Sequence, residues 1–329
     1  MAPQLRLKDV PTQGRASTVY LSLLPVGDRN IPIFQTLANT GFAGLVTVVA
    51  ATSTASYILV VAGVTYTVIA TATDTKKSIA QKLIALIEAG TTGAKAYNLR
   101  ENGANWEFYL HRSTTFTLAN TGTTTPSSLT VGAVSGAATA VAKGATSITL
   151  AFPLIGRIAG GQYLRFASGN TEVTVKVANT AEAGASTLTV TAVDEQIPAA
   201  AIAAFPPEFT HRTAASISPA YEFTGFSTLN TGGFEDGVQT TSSAEADLSG
   251  IYFELDPVYR TLVENAPNGR EFALILDYKE PKEGWSGRRR FAICGITSRN
   301  EPVTVEGFIG ADFTAKVLTD PTETPAAPL

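Results

Sequence analysis

Apolar and polar residues alternate with a period of two over many short segments of this chain, and Gly, Pro, Asn and Asp punctuate them. That is the pattern of half-buried β-strands. An apolar run at 19–26, the Gly27-Asp28 turn and a second run at 31–37 read as the first strands of a body completed much later. Residues 57–70 predict a hairpin folded at Ala62-Gly63, and 96–100 with 106–111 predict another around Asn102-Gly103. Near the C-terminus, Phe272, Leu274, Leu276 and Tyr278 share one side of a strand, joined by a tip at 280–287 to a partner at 289–297. From Val303 onward, Val303, Val305, Ile309, Phe313 and Val317 point one way, and Thr304, Glu306, Asp312, Thr314 and Lys316 the other.

Two segments switch to helical spacing. Asp74 or Thr75 can accept from the free amides of a first turn, Ile79, Leu83, Leu86 and Ile87 then share a face, and Gly90 ends the element. Asp256-Pro257 opens the second helix, with Asp as cap and Pro at the first helical position, where no amide partner is needed. Val258, Leu262 and Val263 form a stripe that should lie on a sheet.

The middle of the chain repeats itself. Gly144-Ala145-Thr146-Ser147-Ile148-Thr149-Leu150 is echoed 40 residues later by Gly184-Ala185-Ser186-Thr187-Leu188-Thr189-Val190. Each copy runs from a turn into an alternating strand and then a break near Pro153 or Pro198. This predicts a small two-fold β unit closing near Phe205-Pro206-Pro207. Residues 224–243, rich in Gly, Ser and Thr, read as a polar loop of about twenty residues, a length that marks either a contact arm or a floppy surface loop. The tail at 321–329, with Pro321, Pro325 and Pro328, reads as disordered.

Composition agrees with β structure: 16% of the 329 residues are charged, with 28 Gly and 17 Pro. A net charge of -4 argues against a protein that grips nucleic acid by neutralising phosphates. The single Cys excludes an internal disulfide, so packing and backbone hydrogen bonds must hold the fold. Residues 1–14 have no apolar core of signal-peptide length, and Gly63 and several Thr interrupt the apolar stretch at 58–72, so neither secretion nor a membrane span is expected.

No segment has the form of an active site, and no cofactor is expected. His111 and His211 lie in different segments without ligand-spaced partners, and Cys294 sits in an alternating strand with no base near it in sequence. Gly284-Trp285-Ser286-Gly287 tips a hairpin, whereas a nucleophile elbow joins a strand to a helix. Arg288, Arg289 and Arg290 are the only basic run. They read either as a solvated strand entrance or as partners for the acids of a neighbouring copy.

Residues 237–250, the helix at 256–265, and the strands at 285–297 and 303–313 are similar in order and texture to the tail tube (major tail) proteins of tailed bacteriophages. The resemblance covers 1–38 and 209–320. It implies a mainly β fold: a discontinuous tail-tube-like β-sandwich (1–38 with 208–320) and a short flanking helix. A small α+β insert (39–137) and a β-rich insert with the internal repeat (138–207) interrupt it. It further implies a non-enzymatic virion protein, made in the host cytoplasm, that forms hexameric rings stacked into a hollow tube. Its partners would be further copies of itself and other tail proteins: terminator, baseplate or tip, tape measure and sheath. DNA would pass through without specific binding, and no membrane is involved. On that reading Asp277, Glu306 and Asp312 are candidate lumen-facing acids. Asn230, Gly232, Gly233, Phe234, Glu235 and Asp236 are the candidate inter-ring loop, and Arg288, Arg289 and Arg290 are candidates for salt bridges between subunits. The alternative from another class is a carbohydrate-binding or adhesin-like β module on a virion or cell surface. It needs clustered exposed aromatics, and the two Trp residues lie far apart.

Overall fold

The computed structural model describes residues 17–39, 41–121, 129–134, 136, 139–226, 236–251, 256–265, 268–278, 288–301, 310–319 and 322–325. The fold is mainly β. The chain divides into two compact units: Met1–Pro32, Ile158–Tyr163 and Pro206–Leu329 form the first, and Ile33–Arg157 with Leu164–Phe205 the second.

The first unit opens with β1 (Ser17–Leu23). The second then contributes β2 (Gln35–Ala38), β3 (Phe42–Val48), β4 (Ser56–Val61), β5 (Val64–Ile69), α1 (Lys76–Ala89), β6 (Lys95–Asn102), β7 (Asn105–Arg112), β8 (Leu118–Asn120) and β9 (Leu129–Val131). The chain continues through β10 (Ser147–Thr149), β11 (Tyr163–Ser168), β12 (Thr171–Lys176), β13 (Thr187–Thr189) and β14 (Ile202–Phe205). Back in the first unit follow β15 (Arg212–Phe226), β16 (Asp236–Ile251), α2 (Pro257–Asn265), β17 (Glu271–Tyr278), β18 (Arg288–Asn300), β19 (Gly310–Val317) and β20 (Thr322–Pro325).

In the second unit, α1 and the sheet β5-β4-β8 share a core with the sheet β6-β7-β3-β9, through Val46, Leu59, Val61, Ile79, Leu83, Ile87, Phe108 and Leu110. Thr75 caps α1 in a capping box with Ser78, as its short hydroxyl allows. Leu86, expected on the buried face, is 42% exposed. The β4–β5 turn places Ala62 and Gly63 both at positive φ, 50° and 81°, the geometry that matches strand twist in a two-residue hairpin.

The sequence repeat is a structural two-fold. β10 and β13 pair antiparallel with Ile148 opposite Leu188. Leu150 N donates to Ser186 O at 2.9 Å as Val190 N donates to Thr146 O at 3.0 Å, and Leu154 N to Ala185 O mirrors Val193 N to Ala145 O. Gly144 and Gly184 open the copies at matching φ, 81° and 85°.

In the first unit one seven-stranded sheet runs β1-β17-β18-β19-β16-β15, with β20 paired to β18. Val19, Leu21, Phe272, Leu274, Cys294, Phe313, Ala246 and Leu248 seal a core against Val258, Tyr259 and Leu262 of α2. Burying each of the larger side chains contributes about 1.5–3 kcal/mol. Gln162 is fully buried: it accepts from Leu23 N at 2.8 Å and donates to Thr261 Oγ1 at 3.2 Å, which places Ile158–Tyr163 in this unit.

Four expectations change. The strand at 35–38 pairs β14 within the second unit, because its partner 202–205 is an apolar run that the discontinuous sandwich does not contain. The segments expected as separate inserts, 39–137 and 138–207, cluster as one unit apart from Ile158–Tyr163 and the last residues. Residues 224–226 and 236–243 are strand, not loop. β15 and β16 pair from Arg212–Gly250 to Phe226–Asp236, so backbone pairing overrides weak local propensity. Finally, Thr322–Pro325 of the tail pairs Arg288–Phe291 of β18, which already displays a long edge.

Candidate assembly site

The residues of β16 and β19 alternate between two environments. Ala244, Ala246, Leu248, Ala311, Phe313, Ala315 and Val317 face the core. Glu245, Asp247, Thr314 and Lys316 lie on the other side, and Glu245, Asp247 and Lys316 are exposed. Asp312, half-buried, stands opposite Ser249, and Glu245 opposite Lys316. Ser216 and Ser218 of β15 extend this face beside Asp247 and Glu245. The sheet therefore seals a core with one surface and turns a polar surface with three acids and one Lys to solvent. Glu245 and Asp247 were not among the expected acids, although the alternation Ala244-Glu245-Ala246-Asp247-Leu248 carried them.

The other expected acids fare differently. Asp277 is buried, at 7% exposure, and Arg289 Nη2 donates to its Oδ2 at 2.7 Å. The register sets Asp277 directly opposite Arg289 on neighbouring strands, so the carboxylate is paired within its own chain. Glu306 lies outside the described residues.

Of the arginines, Arg289 is therefore engaged internally. Arg290 Nη1 donates to Ile217 O at 3.2 Å, so both make contacts within their own sheet. Arg288 contributes backbone pairing to Tyr278 and Pro325. Among the described residues, Asp277 Oδ1 and Arg290 Nε are buried without hydrogen-bond partners. Asn230, Gly232, Gly233, Phe234 and Glu235 lie outside the described residues, and Asp236 begins β16 opposite Phe226.

The two edges of the sheet are not equivalent. Along β1, Leu21 N donates to Pro207 O at 3.2 Å, Phe209 N donates to Val19 O at 2.8 Å, and Tyr20 bridges Glu208. Residues 207–209 thus strap this edge. Phe209 is fully buried, and a side chain at Gly250 would meet its ring at 2.8 Å and the His211 carbonyl at 2.9 Å. Asp256, fully buried, accepts from Val258 N at 2.8 Å, Tyr259 N at 3.2 Å, Thr210 Oγ1 at 3.1 Å and faces His211 Nδ1 at 3.0 Å. One carboxylate therefore caps α2 and fixes the end of the strap. Folding brings together a His and an Asp that stand 45 residues apart, a pairing that sequence spacing does not reveal. At the opposite edge, β16 is the only described strand that pairs with β15.

Burial pushes the Cys294 thiol up to about 12, so it stays protonated at neutral pH. Among the described residues no three His, Cys, Asp or Glu side chains converge as a metal cage, and no helix is long and apolar enough to cross a membrane.

No protein-family model matches the chain, and no curated protein matches it. Among solved structures it is similar to a chain of the SPP1 tail tube, with 15% identity and a TM-score of 0.32, covering 37% of this chain and 69% of that one. It is also similar to a chain of the virion of a native gene transfer agent particle, with 18% identity and a TM-score of 0.27, covering 35% of this chain and 85% of that one.

Proposed function

We propose that the chain is a non-enzymatic structural subunit of a phage tail tube, acting by repetition of its first unit in closed hexameric rings that stack into a conduit for DNA. The observation that carries this reading is the two-sided sheet of β16 and β19: one face sealed under the core, the other polar and bearing Glu245, Asp247 and Asp312. A sheet of this kind suits a wall with protein behind it and water in front. A net acidic lumen repels phosphates and lets a duplex slide.

The strapped β1 edge leaves β15 as the described edge free to meet another copy. A ring requires a heterologous contact, so the second surface must be something other than the β1 edge. Asn230, Gly232, Gly233, Phe234, Glu235 and Asp236 remain the candidate for contact with the next ring. The second unit then serves as an addition to the tube subunit, and the other partners are tail proteins at the tube ends and around it.

Negative-stain microscopy of the purified protein tests the proposal. It should show rings or tubes roughly 100 Å wide, the size expected for six such bodies around a channel. Monomers at every concentration, with no closed assembly, contradict it.

A further inference from the structure

His111 lies on the outer face of the β6-β7-β3-β9 sheet, at 5% exposure, where Phe152 of the repeated β module covers it. The imidazole meets Phe152 edge-on at 6.1 Å and 88°, and Tyr97 at 6.1 Å and 69°. Phe152 also packs on Tyr109 at 5.3 Å, and Ala38, Ala43, Ala151 and Ile202 complete the contact. Nε2 of His111 is buried with no hydrogen-bond partner. It abuts the Gly41 backbone so closely that a side chain there would lie 2.0 Å from it.

Among the described residues no hydrogen-bond acceptor meets the buried side of the ring. Across from it on β6 stands Lys95, a cation, and on β3 Ala43. Tyr97 and Tyr109 are hydroxyls whose ionisation burial pushes up. Glu88 lies near enough to act on Tyr97, and Glu107, on the same face of β7, is held by Arg100 at 2.5 Å. Among the described residues no acid bonds to His111.

We propose that His111 is a pH-sensitive clasp inside the second unit: while neutral it holds the Phe152 module on the β6-β7-β3-β9 sheet, and its protonation undocks that module. A charged imidazole whose buried Nε2 has no acceptor in an aromatic contact is disfavoured, and separation hydrates it. Burial pushes the His111 imidazole down from its ordinary value. The folded form therefore binds fewer protons than the open form. The closed state is fully favoured above the ordinary imidazole value near 6.5 and loses ground as pH falls below it. This inference stands independently of any role in a tail.

Hydrogen exchange on the full chain at pH 7.5 and 5.0, corrected for intrinsic rates, tests the clasp. Amides at 41–43, 109–112 and 151–154 should exchange several-fold faster at the lower pH, because protonation of His111 favours the open form. The β10–β13 pair and α1 should keep their protection. His111→Phe, which keeps a ring but cannot be protonated, should remove the difference. An unchanged difference in that variant, or none in the parent chain, overturns the proposal. Should the variant not fold, the parent decides by NMR, since the chain has only two histidines. His111 should titrate below the ordinary value together with shifts at Phe152 and Tyr97, and ordinary titration without those shifts overturns the clasp.

Discussion

Replacing Asp256 probes the joint between α2 and the strap over the β1 edge. Asp256→Ala removes the cap from the amides of Val258 and Tyr259, both in buried residues, and leaves Thr210 and His211 without the carboxylate they share. Losing the cap leaves two buried amides unpaired at about 1 kcal/mol or more each, a total of about 2–3 kcal/mol. Asp256→Asn keeps an oxygen for the two amides and sets its NH2 against groups that can accept, since His211 can switch tautomer and Thr210 can rotate its hydroxyl. Its loss should be nearer 1 kcal/mol. Because the chain has two units, pulse hydrogen exchange along a urea series is the suitable assay. Peptides from α2 and β1 should lose protection at lower urea in the order Ala, Asn, parent, while α1 peptides stay unchanged. Equal losses in the two variants, or an Ala variant within 0.5 kcal/mol of the parent on the scale of ordinary surface changes, would refute the reasoning.

Further outcomes follow from other sites. Ala200 holds φ at 58° where the first copy of the repeat has Gly161 at 90°, so Ala200→Gly should stabilise the second unit by about 0.5–1 kcal/mol in urea unfolding. Ile148 and Leu188 are both fully buried at the two-fold, and each changed to Ala should cost about 2–5 kcal/mol, with similar effects at the two positions. Asp277→Ala should destabilise the first unit by about 3 kcal/mol by breaking its buried pair with Arg289, and Asp277→Leu with Arg289→Leu should recover most of it in a double-mutant cycle. Cys294 should resist alkylation at pH 8 in the native protein and react in urea, because its thiol is buried and pushed up to about 12.

Local signals in the sequence were faithful where a short-range rule governs. Thr75 and Asp256 mark helix starts because a side-chain oxygen within three residues of free amides suffices, and Ala62-Gly63 and the 40-residue echo likewise act locally. The alternation at 311–317 gave the core face of β19 correctly for the same reason. Long-range pairing is where legibility ends. β1 finds β17 some 250 residues away, β2 is drawn to β14, and the Thr-, Ser- and Gly-rich stretches of β15 and β16 become strands because neighbours supply the hydrogen bonds. The same limit applies to the site. Arg289 and Asp277 are twelve residues apart in sequence, but only the β17–β18 register shows that they neutralise each other. Asp312 was visible by alternation, while its companions Glu245 and Asp247, just past the stretch read as a loop, alternate as clearly but show their facing position only through the β16–β19 register.

The central claim is that copies of the first unit close around an axis with the polar face of β16 and β19 inward. A cryo-electron microscopy reconstruction of the assembled protein tests this most directly. Six-fold rings in which Glu245, Asp247 and Asp312 line a water-filled channel are expected. Those three side chains on the outer wall, or an assembly with no closed ring, would contradict it.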